Sequence, residues 1–172
     1  KKRTLSITSL VSGRGDHQMA RKITTSTSTV RSRRKVFVDT SGWYAVASED
    51  DRYHEVGTLY YLDLLDEGAY LLTSDYVLDE TLTRLRYDFG HALALTFWHR
   101  MDRAQRDGFL TILRVDERVW QAAMAIFQKY DDQDFSFTDC TSFVLAREHR
   151  VDEVFTFDRH FLMFGFIIKP GP

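Results

Sequence analysis

Four carboxylates in this 172-residue chain occupy positions from which chemistry is usually done. Asp39 closes the run Lys35-Val36-Phe37-Val38, and Asp158 follows Glu153-Val154-Phe155-Thr156-Phe157. Both runs are short, apolar and rich in β-branched and aromatic residues, the pattern of strands buried on both faces. Open α/β sheets bind ligands outside the carboxyl ends of their strands, so both aspartates belong at one edge. Asp139 lies in the first turn of a helix predicted from Thr138 to His149, whose N-terminus faces that same edge. Glu80 lies in a helix predicted from Asp75 to Asp88, about 200° around from Leu78 and so off the buried stripe. Four converging carboxylates repel one another and raise one another's pKa values. A divalent cation removes the conflict, and an oxygen-only ligand set suits Mg²⁺ or Mn²⁺. Such an ion activates water, bridges phosphate oxygens and shields the acidic pocket from an anionic substrate.

Several elements must position these groups. After the first strand, Thr40 or Ser41 caps a short helix through Ala47. A second helix covers Tyr53 to Leu65, with Val56, Leu59, Tyr60 and Leu64 facing inward. Tyr70–Thr73 is a second strand. Ser74 caps the Glu80 helix, whose stripe is Leu78, Leu82, Leu85 and Phe89. Gly90 separates it from a helix over His91–Arg106 carrying Leu93, Phe97 and Met101. Phe109–Val115 is a third strand, and Asp116 caps a helix to Tyr130 with Val119, Ala123, Ile126 and Tyr130 inside. Phe166–Ile168 is a last strand after the one that ends at Asp158. Alternating strands and helices of these lengths predict a three-layer α/β/α sandwich with a mainly parallel central sheet.

Charge divides the chain in two. Residues 1–35 hold 10 of the 23 Lys and Arg and one acidic residue, Asp16, for a net +9; residues 36–172 hold 13 basic and 24 acidic residues, for a net −11. The first 35 residues also contain 12 Ser and Thr and no sustained periodicity. Residues 1–34 therefore read as a basic, disordered tail ahead of a domain over 35–172. A dispensable extension, with Met19 as the natural start, a basic arm for nucleic acid, and a transit-like segment are the three readings of that tail. The domain's net charge does not attract phosphate, so binding an anion requires a cation or a local basic strip, for which Arg147 and Arg159 are candidates. The single Cys140 excludes an internal disulfide and fits a reducing, cytoplasmic setting; no apolar run reaches the ~20 residues of a membrane span.

Other reactive side chains carry less. Cys140 is expected to be a small buried residue, with Asp139 disfavouring its thiolate. The six histidines show no metal-ligand spacing; His160 is read mainly as structural. Asp79 and Asp134 are expected in solvent, and Thr40 and Thr138 as caps. Glu80 also has Arg84 at i+4 as an ion-pair partner. The aromatic residues fall mostly on helical stripes and are expected in the core, not in base stacking. Aromatic pairs at Tyr60-Tyr61 and Phe97-Trp98 are expected to be exposed and are compatible with a homodimer.

The motifs Val36-Phe37-Val38-Asp39-Thr40-Ser41, Asp79-Glu80, Asp134-Phe135-Ser136-Phe137-Thr138-Asp139-Cys140 and Thr156-Phe157-Asp158-Arg159-His160-Phe161 resemble, in order, those of PIN-domain ribonucleases, in the form of VapC-type toxins. The resemblance spans residues 35–168. It implies metal-dependent cleavage of RNA, with Asp39, Glu80, Asp139 and Asp158 as both catalytic and metal-holding residues, an RNA substrate and an antitoxin partner. Water activated at the metal would attack phosphorus in line and leave a 5′-phosphate product. The basic tail departs from such toxins, which begin close to the first strand. Two alternatives stand beside this reading: a catalytically silent PIN-like module that binds RNA or protein, and an aspartate-based phosphotransfer protein using Asp39. The second lacks the partner acids its families require, since Ser41 stands where a second aspartate belongs.

Overall fold

The computed structural model describes residues 33–172. Twelve elements follow in order: β1 (Lys35–Val38), α1 (Thr40–Ala47), α2 (His54–Asp66), β2 (Tyr70–Ser74), α3 (Asp75–Phe89), α4 (His91–Arg106), β3 (Leu110–Leu113), α5 (Glu117–Lys129), α6 (Phe137–Glu148), β4 (Glu153–Thr156), α7 (His160–Met163) and β5 (Ile168–Pro170). The strands form one sheet in the order β3-β2-β1-β4-β5, and every pairing is parallel. The expected α/β architecture is therefore present. The reading of the tail as basic and disordered falls outside the described residues, apart from Arg33 and Arg34.

β1 is central. Its Val36, Phe37 and Val38 are fully buried, as befits a strand covered on both faces. The chain winds from β1 outward to β2 and β3 on one side, then returns to place β4 and β5 on the other. The strand order thus reverses between β1 and β4, and the crevice at their carboxyl ends is where such sheets bind ligands. Asp39 follows β1 there, and Asp158 follows β4.

α1 is seated on the sheet by close contact. Trp43 is buried; its indole N–H donates to Thr73 Oγ1 (3.0 Å), and Thr73 Oγ1 donates to the Val38 carbonyl (2.9 Å). A buried indole with its donor satisfied keeps its hydrophobic gain without a polar penalty. At Gly42 a Cβ would lie 2.7 Å from the Phe155 carbonyl oxygen, so only glycine lets α1 approach β4 this closely.

Some local expectations shift. α1 is capped by Asp39 itself, which sits in extended conformation and accepts from the Ser41 amide; Thr40 and Ser41 already lie inside the helix. α2 turns one residue from its expected orientation and buries Gly57, Tyr61 and Leu64, whereas Val56 (43%) and Leu59 (58%) are exposed. Gly57 is the cause: its missing side chain lets α2 rest on Ala45 and Phe157, and glycine carries no hydrophobic signal to announce it. The aromatic pairs expected on the surface pack inward. Tyr61 and Phe97 both pack edge-on against Trp43 and are buried, whereas Tyr60, which packs against Phe155, and Trp98, which lies against the core, are half-buried. The last strand lies two residues later than expected, because Phe166 packs on Phe161 beneath α7 and leaves pairing to Ile168–Pro170. Among the described residues no helix is long and apolar enough to cross a membrane.

Candidate metal centre and active site

Asp39 is only 3% exposed, yet among the described residues no cation faces it through a hydrogen bond or ion pair. Its Oδ2 accepts from Ser41 Oγ (3.0 Å), the Ser41 amide (3.3 Å) and Thr156 Oγ1 (3.1 Å). Ser41 Oγ also meets Thr156 Oγ1 at 3.0 Å and accepts from the Phe157 amide, so two hydroxyls from α1 and β4 clamp one carboxylate oxygen. The other oxygen, Oδ1, is buried and has no hydrogen-bond partner among the described residues. A buried oxygen of this kind is costly unless something outside the chain satisfies it. Burial pushes the Asp39 carboxyl above its ordinary range, and the surrounding donors oppose that shift.

Asp139 stands at the start of α6. Ser136 caps this helix through a reciprocal capping box: Ser136 Oγ accepts from the Asp139 amide (3.0 Å), and Asp139 Oδ2 accepts from the Ser136 amide (2.7 Å) and its hydroxyl (2.7 Å). The sequence reading began this helix at Thr138; the cap two residues earlier gives Asp139 a structural as well as an electrostatic role. Its pKa is pushed up to about 7, first by burial, then by the negative charge of Asp39, with Asp158 adding a smaller share. Asp39 and Asp139 are therefore close enough to oppose each other's ionisation, as expected of paired carboxylates lacking a counter-ion.

The other two carboxylates flank this pair. Glu80 Oε2 accepts from Thr40 Oγ1 (3.2 Å), which ties it to the residue after Asp39. Arg84, its expected i+4 partner, lies over the Tyr44 ring at 4.2 Å. Asp158 accepts from the His160 amide (2.9 Å), and His160 Nδ1 lies 2.9 Å from its Oδ1 and 3.2 Å from its Oδ2. The Asp158 amide in turn donates to Thr156 Oγ1 (3.0 Å). Among the described residues no three His, Cys, Asp or Glu side chains are gathered tightly enough to enclose an ion as they stand. The arrangement is a coupled pair with two outlying acids. Its donors are nonetheless all oxygen, and one Asp39 oxygen is left over, which is the chemistry a hard divalent cation requires.

Sequence reasoning missed Ser41 and Thr156 as the side chains that orient Asp39. Thr156 precedes Asp158 by two residues and is buried in β4, and its short polar side chain directly after the apolar Val154-Phe155 is the available signal. Thr40 was read as a cap; its hydroxyl holds Glu80 instead. Cys140 is fully buried, and its thiol is pushed up to about 11 by burial and by Asp139, as expected for an inert cysteine. Arg147 donates to the Phe164 carbonyl (3.1 Å), and Arg159 is exposed.

Known proteins share this fold. A family model of the PIN domain matches residues 36–166. The 23S rRNA-specific endonuclease VapC20 of Mycobacterium tuberculosis is 30% identical over 143 residues, covering 78% of this chain and 98% of the relative. The crystal structure of Mycobacterium tuberculosis VapC20, described as a sarcin–ricin loop cleaving toxin, superposes with a TM-score of 0.67 at 28% identity, covering 77% of this chain and 96% of that one. Two further structures share the fold at lower identity. VapBC2 from Rickettsia felis, bound to a DNA fragment from its promoter, has a TM-score of 0.57 at 11% identity, with 78% and 97% covered. FitAcB from Neisseria gonorrhoeae has a TM-score of 0.56 at 18% identity, with 77% and 95% covered.

Proposed function

This chain belongs to the PIN-domain family, and from that premise we propose that it is a metal-dependent endoribonuclease acting as the toxin of a toxin–antitoxin pair. The observation that carries the proposal is the coupling of Asp39 and Asp139 beside a buried, unpartnered Asp39 oxygen at the strand-order reversal. Such a pair is a liability to an unliganded fold and an asset to one that takes up a cation.

Asp39 and Asp139 would hold the ion, Mg²⁺ or Mn²⁺, with Glu80 and Asp158 completing the set. When bound, it supplies charge neutralisation at the phosphate and activation of water. Ser41 and Thr156 fix Asp39 by holding Oδ2 and leaving Oδ1 available. Ser136 fixes Asp139 through the capping box, so both principal carboxylates are pre-oriented by hydroxyls from rigid elements. Thr40 holds Glu80 toward the same edge. His160 holds Asp158 and sets its orientation.

The relative's substrate makes 23S rRNA, and its sarcin–ricin loop, the first RNA to examine. The protein partner in this reading is an antitoxin. The decisive experiment is cleavage of a mixed RNA pool by wild type and Asp39→Asn, with Mg²⁺, with Mn²⁺ and with chelator. Cleavage by wild type with either ion, absent from the variant and with chelator, is the expected result. Equal cleavage in all conditions would overturn the mechanism.

A further inference from the structure

We propose that an aromatic cluster where α3, α5 and α6 meet is a stacking subsite for unpaired bases of the RNA strand whose phosphate lies at Asp39 and Asp139. This inference rests on the ribonuclease reading and identifies how the same site holds its substrate.

Phe137 is the hub of the cluster. Tyr76 from α3 lies 6.3 Å away, Trp120 from α5 5.5 Å and Phe127 from α5 6.0 Å, with interplanar angles of 57°, 58° and 84°. Tyr76 and Trp120 are half-buried and belong neither to the core cluster nor to the side chains packed against it, and Phe127 is 46% exposed. The neighbouring group of Phe135, Phe143, Phe161 and Phe164 differs: three of its rings are buried, and the fourth packs on them. Phe137 itself packs against the core, so the aromatic content expected to serve the core divides into a core set and an outer set of Tyr76, Trp120 and Phe127 joined to it through Phe137.

The outer set is continuous with the catalytic carboxylates. Tyr76 precedes Glu80 by four residues on α3, which places both on one helix face. Phe137 opens α6 two residues before Asp139. Arg114, largely exposed just after β3, reaches Asp75 (3.5 Å), the residue before Tyr76. The domain carries 24 acidic residues against 13 basic ones after residue 35, so phosphate attraction alone does not hold an RNA strand on it. Stacking does not depend on net charge, and splayed bases of loops and single strands stack on Tyr, Phe and Trp. Tyr and Trp also present a polar edge to base substituents, which an aliphatic docking face lacks.

The test uses the full chain made cleavage-silent by Asp39→Asn, titrated with a short single-stranded RNA of mixed sequence. Trp120 emission should be quenched as RNA binds, and Trp120→Phe should abolish that signal while keeping most of the affinity. Phe127→Leu and Tyr76→Leu, which keep apolar volume and remove the ring, should each weaken binding about tenfold. The same RNA made abasic should bind weakly to all of these proteins with no difference among them. The subsite is overturned if the leucine variants bind the base-bearing RNA as tightly as their parent, or lose equal affinity for the abasic strand, which would mark a merely structural effect. A parallel assay of RNA cleavage with Asp39 restored separates the two ideas. Cleavage together with unaltered binding by the leucine variants removes the subsite alone. Absence of cleavage with every cation removes the ribonuclease reading and the subsite with it.

Discussion

Two acids lie buried at opposite ends of neighbouring strands, and their surroundings are opposites. Glu153 begins β4 and is 4% exposed; Asp39 follows β1 and is 3% exposed. Around Glu153 the chain supplies its own cations. Arg34 approaches Oε1 (3.5 Å), Lys169 approaches Oε2 (3.5 Å), and the Tyr60 hydroxyl donates to Oε1. Arg34 also pairs with Glu67 at 3.0 Å. Burial and the Glu153 carboxylate together keep the Tyr60 phenol protonated. Around Asp39 the chain supplies hydroxyls, amides and a second carboxylate. One end of the sheet is thus neutralised from within. The other retains a charge conflict that an ion from solution would resolve, and this contrast distinguishes the two acids more sharply than burial does.

The largest expected effect falls at the unneutralised end. Asp39→Asn should lower RNA cleavage on the order of a thousandfold, because it removes several kcal/mol of charge organisation at the phosphate. The same change should leave the metal-free protein as stable as wild type or more so, since it deletes a buried charge without a counter-ion. A melting temperature that falls sharply without metal would break the contrast with Glu153. The pH dependence follows from Asp139, whose pKa is raised from 3.8 to about 7, with burial as the main cause. Between those values the folded chain binds more protons than the unfolded one, so metal-free stability falls as pH rises from about 4 toward 7. The upward shift of Asp39 acts in the same direction. Thermal melts in chelator should show this decline, Asp139→Asn should flatten it, and Mn²⁺ should raise the melting temperature far more at pH 7.5 than near pH 5.

At the neutralised end the outcome reverses. Glu153→Ala leaves Arg34 and Lys169 without their shared acid and should cost about 2–4 kcal/mol, the lower part of the range allowing for the partial exposure of both cations. Denaturant unfolding measures it. The stabilisation gained from Mn²⁺ should stay the same in this variant, since none of the groups it disturbs touches Asp39. Loss of that Mn²⁺ response would show that the two ends are coupled through β1 and β4.

The contrast also explains what was legible in the sequence. Strand β1 and its terminal Asp39 announce themselves because an apolar run stops at an acid, and the parallel order follows from the alternation of elements. Glu153 drew no notice, because a glutamate opening a strand looks like a solvated end. Its cations are Arg34 and Lys169 and its hydrogen-bond donor is a tyrosine on α2, and only the tertiary structure brings these together. Ser41 and Thr156 were obscure for the same reason: a hydroxyl signals a cap locally, whereas its role here is across strands. α2 was misread by one residue because Gly57 packs through absence, and periodicity counts only side chains that are present.

The smallest effect tests what fixes the Asp39 end in place. The Asp39 amide donates to the Phe155 carbonyl (3.1 Å), and Gly42 passes over that same oxygen at a distance no Cβ tolerates. Backbone carbonyls in a central strand cannot swing away, so Gly42→Ala must lift the first turn of α1 from β4. Overpacking of this kind costs about 1–3 kcal/mol. The displacement acts on Asp39, Thr40 and Ser41 together, because all three belong to the cap and first turn that Gly42 seats. Asp39 should then lose part of its grip from Ser41 and Thr156. The variant should lose Mn²⁺-dependent stabilisation out of proportion to its loss of stability in chelator, while Glu153→Ala costs as much in this background as in wild type. If both ends loosen together, the close approach of α1 supports the whole sheet; if only the metal response falls, glycine at this position serves to place a carboxylate.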